Sequence, residues 1–318
     1  MAHFVNTIIQ QHGDIASRPS QVFGKGDLIL KIGNGGAGKV MDDAGGTGLV
    51  EALAKDYLSL HKSAGRIEWI CNHSRNTQLA LLSGYVDIAL TYEREQEEIA
   101  VSEGWAKNAG CIFHDHFCLV GPEHDPANVK DAKTIEEAFD RIAKTRSIFH
   151  SRDDGSATMC KEHDIWRRCH RTPWNDAQGT SSWYIKAKHN PADAIGFASA
   201  TGAYTLNDRS TLLDQVSRGR VQGSTVFFEP TDHFHPLMNS CYVLYAPRSS
   251  ASGNKHVSTF ISYLKSERCQ SLIARYGMDK AGVPLFAPVR DKIAKSSLAH
   301  GRVRDGRWIM SKKRLQKL

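Results

Sequence analysis

The feature that most constrains this chain is an aliphatic run at residues 28–32 (LILKI) that leads directly into a glycine-rich stretch at residues 33–39 (GNGGAGK). The run is typical of a buried β-strand, and the glycines predict a loop at its carboxyl end. Glycine has no Cβ and tolerates positive φ, so consecutive backbone N–H groups can turn inward. Such a loop forms a concave surface of hydrogen-bond donors, which suits an anion.

Two phosphate-binding patterns match this loop only in part. Gly33, Gly38 and Lys39 fit G-x-x-x-x-G-K, but Val40 follows where a P-loop has a Ser or Thr for Mg²⁺. The glycines also fit G-x-G-x-x-G, yet residues 40–48 (VMDDAGGTG) are a poor start for the helix that a dinucleotide fold needs there. An anion-binding loop of another kind is favoured, and a P-loop, a Rossmann turn and a plain connecting turn stay open as alternatives.

Composition limits the class of protein. A chain of 318 residues with 41 % hydrophobic content can bury a large core, and its length suggests about two domains. No stretch approaches the roughly 18 apolar residues of a membrane span. Seven scattered cysteines, an odd number without a C-x-x-C pair, argue against a disulfide framework or a zinc ribbon. No cofactor is predicted.

The net charge of +7 is concentrated at one end of the chain. Residues 291–318 contain nine Lys or Arg and two Asp, which accounts for the whole excess. The rest of the chain is neutral, so we expect no nucleic-acid partner for the folded body. The basic segment itself is predicted to be a solvated, flexible tail, and contact with nucleic acid or a membrane is the alternative.

Strand and helix patterns alternate after the first loop. A helix from residue 47, a strand at 67–71, a polar loop at 72–77 and a helix at 78–83 are followed by a strand at 86–91 and a helix at 93–106. This order predicts a parallel sheet covered by helices. The loops at the carboxyl ends of its strands are where such sheets bind ligands.

A second polar segment, SRDDGSAT at residues 151–158, lies between a predicted strand and a predicted helix at 159–168. Ser156 and Thr158 would stand at the helix start, where free amides and the helix dipole favour an anion. Arg152 could add a fork of charged N–H donors. The alternative is ordinary helix capping, with Arg152 paired to Asp153 or Asp154.

Several segments together resemble the tungstate-binding substrate proteins of ABC transporters, and most of all a fungal branch of that periplasmic-binding-protein-like family. The resemblance spans residues 26–289 and is carried by these segments: LILKIGNGGAG, TGLVEALAKDYL, CNHSRNTQLALLSGYVDIALTYE, FHDHFCLVGPEHDP, SRDDGSATMCKEHDIW, GAYTLNDRSTLL and FISYLKSERCQSLIARYG. It implies an α/β, two-lobed, type II periplasmic-binding-protein-like fold. Each lobe would be a mixed, mostly parallel sheet flanked by helices, and two crossover strands would join the lobes.

The resemblance also implies domain limits and a site. We expect an extension at 1–25, a discontinuous first lobe at 26–117 and 240–290, a second lobe at 118–239 and the basic tail at 291–318. The bacterial hydroxyl-rich loops are replaced here by residues 33–38 and 75–77, which would also suit a carboxylate or a phosphate ester. The ligand-binding residues expected in the cleft are Asn34, Gly35, Gly36, Ser74, Arg75, Asn76, Thr77, Arg152, Ser156 and Thr158.

The predicted function is non-enzymatic binding of a small oxyanion such as tungstate or molybdate, by a monomer, with a membrane transporter as a candidate partner. An enzyme on the same fold, metal-dependent or acting on a phosphorylated or carboxylate molecule, and a protein-interaction role without transport are the alternatives. Residues 1–21 show no secretory pattern, which leaves the compartment open and slightly favours the cytoplasm.

Two further groups of residues allow more than one interpretation. Asp208 and Arg209 could line the cleft, but a structural pair at a helix start is favoured. His114 with His116, and His233 with His235, have the spacing of neighbours on one face of a strand, which would also allow a metal site. Binding of backbone groups by these imidazoles is the favoured interpretation, and no metal is predicted.

Overall fold

The computed structural model of the chain describes residues 7–35, 47–60, 65–175, 182–247, 255–304 and 307–309. Within them the α-helices are α1 Leu49–Leu60, α2 Ser74–Leu82, α3 Arg94–Ser102, α4 Ile135–Thr145, α5 Ala157–Arg168, α6 Pro191–Thr201, α7 Arg209–Ser217, α8 Lys255–Lys265, α9 Glu267–Ile273 and α10 Met278–Ala281. The strands are β1 Gln21–Gly24, β2 Asp27–Asn34, β3 Gly65–Cys71, β4 Ile88–Thr91, β5 Lys107–Pro122, β6 Phe149–Ser151, β7 Tyr184–Lys186, β8 Tyr204–Asp208, β9 Ser224–Phe228, β10 Met238–Tyr245, β11 Ala287–Pro288, β12 Arg302–Arg304 and β13 Arg307–Ile309.

The strands form two sheet regions that share the long strand β5. The main path runs β1-β3-β2-β4-β10-β5-β8-β6-β7. In the first lobe β2 pairs in parallel with β3 and β4, as the alternation of strands and helices predicted. In the second lobe β6 pairs in parallel with β7 and β8. The predicted two-lobed α/β fold is confirmed.

Strands β5 and β10 connect the lobes. The first part of β5 pairs antiparallel with β10, from Tyr245↔Lys107 to Met238↔His116. The second part pairs with β8, beginning at Phe117↔Asp208. The chain thus changes lobe within one continuous strand near residue 117. The domain limits given above stay predictions.

Aromatic side chains fill the centre of each lobe. In the first lobe the ring of Tyr57 on α1 meets that of Phe260 on α8 at 4.9 Å between centroids. In the second, Phe139 on α4 and Trp166 on α5 lie 4.6 Å apart, and Phe149 on β6 contacts both. Such pairs contribute about 0.5–1.5 kcal/mol each beyond their buried area. The helices are thereby fixed against the sheets whose strand ends form the site.

The first part of the predicted tail is integrated into the second lobe. Leu298 and Val303 are buried, and β12 pairs with β9 at Arg302↔Thr225. Glu229 accepts the N–H groups of Leu298 at 2.6 Å and Ala299 at 2.9 Å. The charge count could not reveal this, because it ignored the apolar residues between the basic ones. Residues 310–318 lie outside the described residues.

No helix of the described residues combines the length and the apolar character needed to cross a membrane.

Candidate functional site

Four helices begin around one small cavity between the two lobes. Its volume is about 60 Å³. A single water needs roughly 10–15 Å³ on the same kind of measure, so there is space for a solute of a few heavy atoms. The lining comes from the first turns and caps of these helices: His73 and Ser74 for α2, Ser156 to Thr158 for α5, Pro191 for α6, and Asp208, Ser210 and Thr211 for α7.

The helix termini give the cavity a positive character. Helices α2, α5, α6 and α7 have 9, 12, 11 and 9 residues, so each carries a dipole with its positive end here. The N-cap of α2, His73, makes no side-chain capping bond. Backbone N–H groups at such a terminus are natural donors to an anion.

Arg152 is the guanidinium that lines this cavity. The residue directly follows β6 and is 3 % exposed. Nη1 donates to the Thr158 hydroxyl at 3.1 Å, and Nη2 donates to a carboxylate oxygen of Asp154. Nε has no hydrogen-bond partner among the described residues. A buried, charged donor without a partner is costly, so this atom is a natural contact for a ligand.

Carboxyl groups surround the guanidinium. Burial would raise the pKa of Asp154, but Arg152 and His73 outweigh it, and the net shift is downward. Asp208 lies 3.7 Å from Arg152 Nη1. Burial raises the pKa of Asp208, while Arg152 opposes the rise. Burial and the neighbouring Asp208 raise the pKa of Asp115 to about 7. Burial lowers the pKa of His73, while the neighbouring Asp154 opposes the shift.

Five of the predicted site residues line the cavity: Gly35, Ser74, Arg152, Ser156 and Thr158. They come from both lobes. The Ser156 hydroxyl also caps α5 by accepting the N–H of Met159 at 3.3 Å, so capping and cavity lining coexist. Gly36 lies outside the described residues.

The other four predicted residues bind protein groups. Asn34 is buried and donates to the Leu90 carbonyl at 2.9 Å. Thr77 donates to the carbonyl of Asn72 at 2.9 Å. Asn76 accepts the N–H of His12 at 3.0 Å and donates to its carbonyl at 2.6 Å. Arg75 pairs with Glu93 at 2.9 Å. Thr77, Asn76 and Arg75 point away from the cavity, because they belong to the first turn of α2 and not to the predicted polar loop. The side chains of that turn radiate around the helix axis.

Several lining residues were not predicted. Asp115 on β5 and Asn239 on β10 are a cross-strand pair, and Tyr92 follows β4. Asp208 lines the cavity, whereas Arg209 is 1 % exposed and donates to the carbonyls of Pro284 at 2.7 Å and Leu285 at 3.2 Å. Asp208 and Arg209 therefore have separate roles and do not form the structural pair that was favoured from the sequence. No local sequence pattern joins Asp115 to Asn239, because the two residues are more than 120 positions apart.

Three of these four histidines make hydrogen bonds to other residues of the chain. His114 Nδ1 lies 2.7 Å from the Ser240 hydroxyl, and His116 Nε2 accepts the N–H of Ala294 at 3.3 Å. His235 Nδ1 accepts the N–H of Leu237 at 3.2 Å. Burial lowers the pKa of His116 to about 3, with Arg209 adding to the effect. Across the described part of the chain, no group of three or more His, Cys, Asp or Glu is arranged to hold a metal ion.

The two lobes, the crossover strands and a polar cavity between them define a solute-binding protein of the periplasmic-binding type. Residues 44–268 match a family model described as "PBP superfamily domain". The tungstate-binding protein TupA of Peptoclostridium acidaminophilum is 30 % identical over 209 residues, which cover 64 % of this chain and 69 % of that protein. The chain therefore belongs to the tungstate-binding substrate-protein family of ABC transporters, within the PBP superfamily.

Solved structures share the fold of this chain. One of them is a crystal structure of a periplasmic protein that is provisionally described as metal-binding. Its TM-score is 0.73 at 28 % identity, and the match covers 87 % of this chain and 100 % of that one. TupA from Desulfovibrio alaskensis G20 has a TM-score of 0.66 at 22 % identity, covers 83 % and 99 %, and supports the fold.

These relatives also correct one prediction. The slight preference for the cytoplasm is wrong, because the solved relative that is 28 % identical to this chain is described as periplasmic. They are described as binding proteins and not as enzymes.

Proposed function

We propose that the cavity captures a small oxyanion of the tungstate or molybdate kind, without covalent chemistry, for delivery to a membrane transporter. The observation that carries this proposal is the convergence of four helix N-termini on a buried guanidinium, Arg152. The relative from Peptoclostridium acidaminophilum is named as a tungstate-binding protein, which supports the choice of anion. The small size of the cavity favours a compact ligand over a phosphate ester.

Ligand contacts from both lobes would couple binding to closure. Gly35 and Ser74 belong to the first lobe, and Arg152 and Thr158 belong to the second. An anion that touches both sets stabilises the closed arrangement more than an open one. The crossover at β5 and β10 is where we propose that the hinge lies, with the lobe limits predicted from the sequence.

Selectivity would arise from buried donors. Each donor that the wrong ligand leaves unpaired costs about 1–3 kcal/mol, and more if it is charged. Arg152 Nε and the first-turn amides of α2 are such donors. A neutral or poorly shaped solute is rejected because it cannot satisfy them together.

Calorimetric titration with tungstate, molybdate, sulfate, phosphate and small carboxylates tests the proposal. We expect Arg152→Ala to weaken oxyanion binding by roughly 10- to 150-fold, the equivalent of 1.5–3 kcal/mol for a hydrogen bond to a charged group. Arg152→Lys keeps the charge but loses the planar fork, so it should restore only part of the affinity. Arg290→Ala, at an exposed pair with Glu267, is the matched control and should bind normally.

Heat for no oxyanion, or equal affinity in Arg152→Ala and Arg290→Ala, would overturn the proposal. Binding of a carboxylate alone would favour the alternative of an organic anion.

Two finer features belong to the same proposal. We also propose that the protein is a monomer. Analytical ultracentrifugation checks it.

Membership of a fungal branch is supported only by the departures at residues 33–38 and 75–77 from the bacterial pattern, and a phylogeny built on the two lobes would test it.

A further inference from the structure

The oxyanion cavity contains hydrogen-bond acceptors as well as donors. Asn239, which lines it, donates Nδ2–H to Asp208 Oδ1 at 3.3 Å. That bond fixes the orientation of the amide and turns its oxygen away from Asp208. Asn239 Oδ1 then has no partner among the described residues, although the residue is only 4 % exposed. A fully deprotonated oxyanion offers no hydrogen to these acceptors.

The carboxyl groups around the cavity also indicate that a bound oxyanion needs a proton nearby. Arg152 is already paired with Asp154, and Asp208 lies 3.7 Å away from it. Asp115 is a third carboxyl group at the cavity wall. A dianion that binds beside an ionised Asp208 meets a like charge in a site shielded from water. This repulsion favours protonation of either the anion or the Asp208 carboxylate. One proton at this place removes the repulsion.

Asp208 is better placed than Asp115 to carry that proton. Asp115 already accepts the N–H of His116 at 2.7 Å, the N–H of Ser210 at 3.2 Å and the Ser210 hydroxyl. Asp208 also accepts a hydrogen bond, from Asn239 at 3.3 Å, but its side chain is 17 % exposed whereas Asp115 is 5 % exposed, so a ligand in the cavity reaches Asp208 more readily. The groups that act on it come from several elements: Arg152, Asp154 and Thr158 from the β6–α5 segment, Asp115 and Cys118 from β5, and Tyr92 after β4.

We infer that Asp208 is a specificity-determining residue whose carboxyl group shares one proton with the bound oxyanion. The inference rests on the proposed function of the same cavity. A fully deprotonated ligand such as tungstate then binds with uptake of one proton from solvent, which is held on the Asp208 carboxyl and donated to a ligand oxygen. An oxyanion that keeps its own proton, such as hydrogen phosphate, donates a hydrogen bond from its O–H to ionised Asp208 and binds without uptake.

The protonation behaviour of the free protein is compatible with this exchange. Burial raises the pKa of Asp208 and holds that of Asp115 near 7, so the pair takes up or releases a proton close to neutral pH. An added anion raises the pKa of Asp208 further. Proton uptake on binding is therefore expected above about pH 7.

Calorimetry at pH 8 in buffers of different ionisation enthalpy measures the protons taken up per ligand. We expect close to one for tungstate and close to none for hydrogen phosphate. Tungstate affinity should fall about tenfold for each pH unit above 7, since one proton is linked to binding. Asp208→Asn should abolish the uptake and the pH dependence, whereas Asp27→Asn, at the exposed far end of β2, should keep both.

The wild-type proton count decides the matter even if Asp208→Asn folds poorly. Tungstate binding without proton uptake, or uptake that persists in folded Asp208→Asn, overturns the inference and leaves the proposed function standing. Absence of heat with tungstate, molybdate, sulfate and phosphate overturns both.

Discussion

Replacement of Gly155 by Ala tests the segment that holds Arg152. Gly155 lies between Asp154 and Ser156 at φ +66°, in the left-handed region. A Cβ there would lie 1.8 Å from Cδ2 of His12, which belongs to the amino-terminal segment. Two effects therefore compete: backbone strain and a steric clash.

Strain should dominate the loss of stability. A left-handed conformation costs about 1–2 kcal/mol for a residue with a Cβ. The His12 side chain is exposed, so its ring can swing away, and the loss of such a surface contact is worth about 0.5 kcal/mol or less. We expect Gly155→Ala to lower the free energy of unfolding by about 1–2 kcal/mol.

Urea unfolding of four variants separates the two effects. Gly84→Ala has a similar φ of +74° with nothing within 4 Å of the added Cβ, so it isolates the strain and should cost as much as Gly155→Ala. The cost of Gly155→Ala should also change by less than about 0.5 kcal/mol in a His12→Ala background. If that background rescues Gly155→Ala almost fully, the clash dominates and the reasoning is refuted.

Two further predictions concern the amino-terminal segment and pH. Asn76→Ala removes both bonds to the backbone of His12, so we expect a loss of about 1–3 kcal/mol and faster proteolysis near residue 12, while normal cleavage rates would contradict the attachment. Glu97 is buried, and burial raises its pKa to about 7 from 4.5. Between these values the native state binds more protons than the unfolded state, so stability falls as pH rises from about 4.5 to 7. Glu97→Gln should flatten that decline, by on the order of 3 kcal/mol between pH 4 and pH 8; an unchanged urea profile across pH would contradict the burial effect.

Local patterns predicted helices well where capping and periodicity agree. The sequence predicts a helix at 135–144, which corresponds to α4 Ile135–Thr145, whose cap Thr134 accepts the N–H of Glu137. It also predicts a helix at 191–201, which is the whole of α6; this helix follows the cap Asn190 and begins with Pro191. In both cases a polar cap stands directly before the helix.

Helix α2 begins four residues before the predicted helix at 78–83, because no capping signal marks its start. His73 provides no side-chain cap, and the polar run that follows resembles a loop. The error changed the predicted site, because helical geometry turns Arg75, Asn76 and Thr77 toward protein partners. Arg152, Ser156 and Thr158 could be predicted because they follow one strand in sequence. Asp115 and Asn239 could not, because their pairing joins strands that are more than 120 residues apart.

The central claim is that the cavity at the four helix N-termini is the oxyanion site. The most direct measurement is the anomalous scattering of tungsten in crystals grown with tungstate. We expect one strong peak in the cavity, within hydrogen-bonding reach of the Arg152 guanidinium and of the first-turn amides of α2. A tungsten peak at another place, or an empty cavity in protein that binds tungstate in solution, would contradict the account.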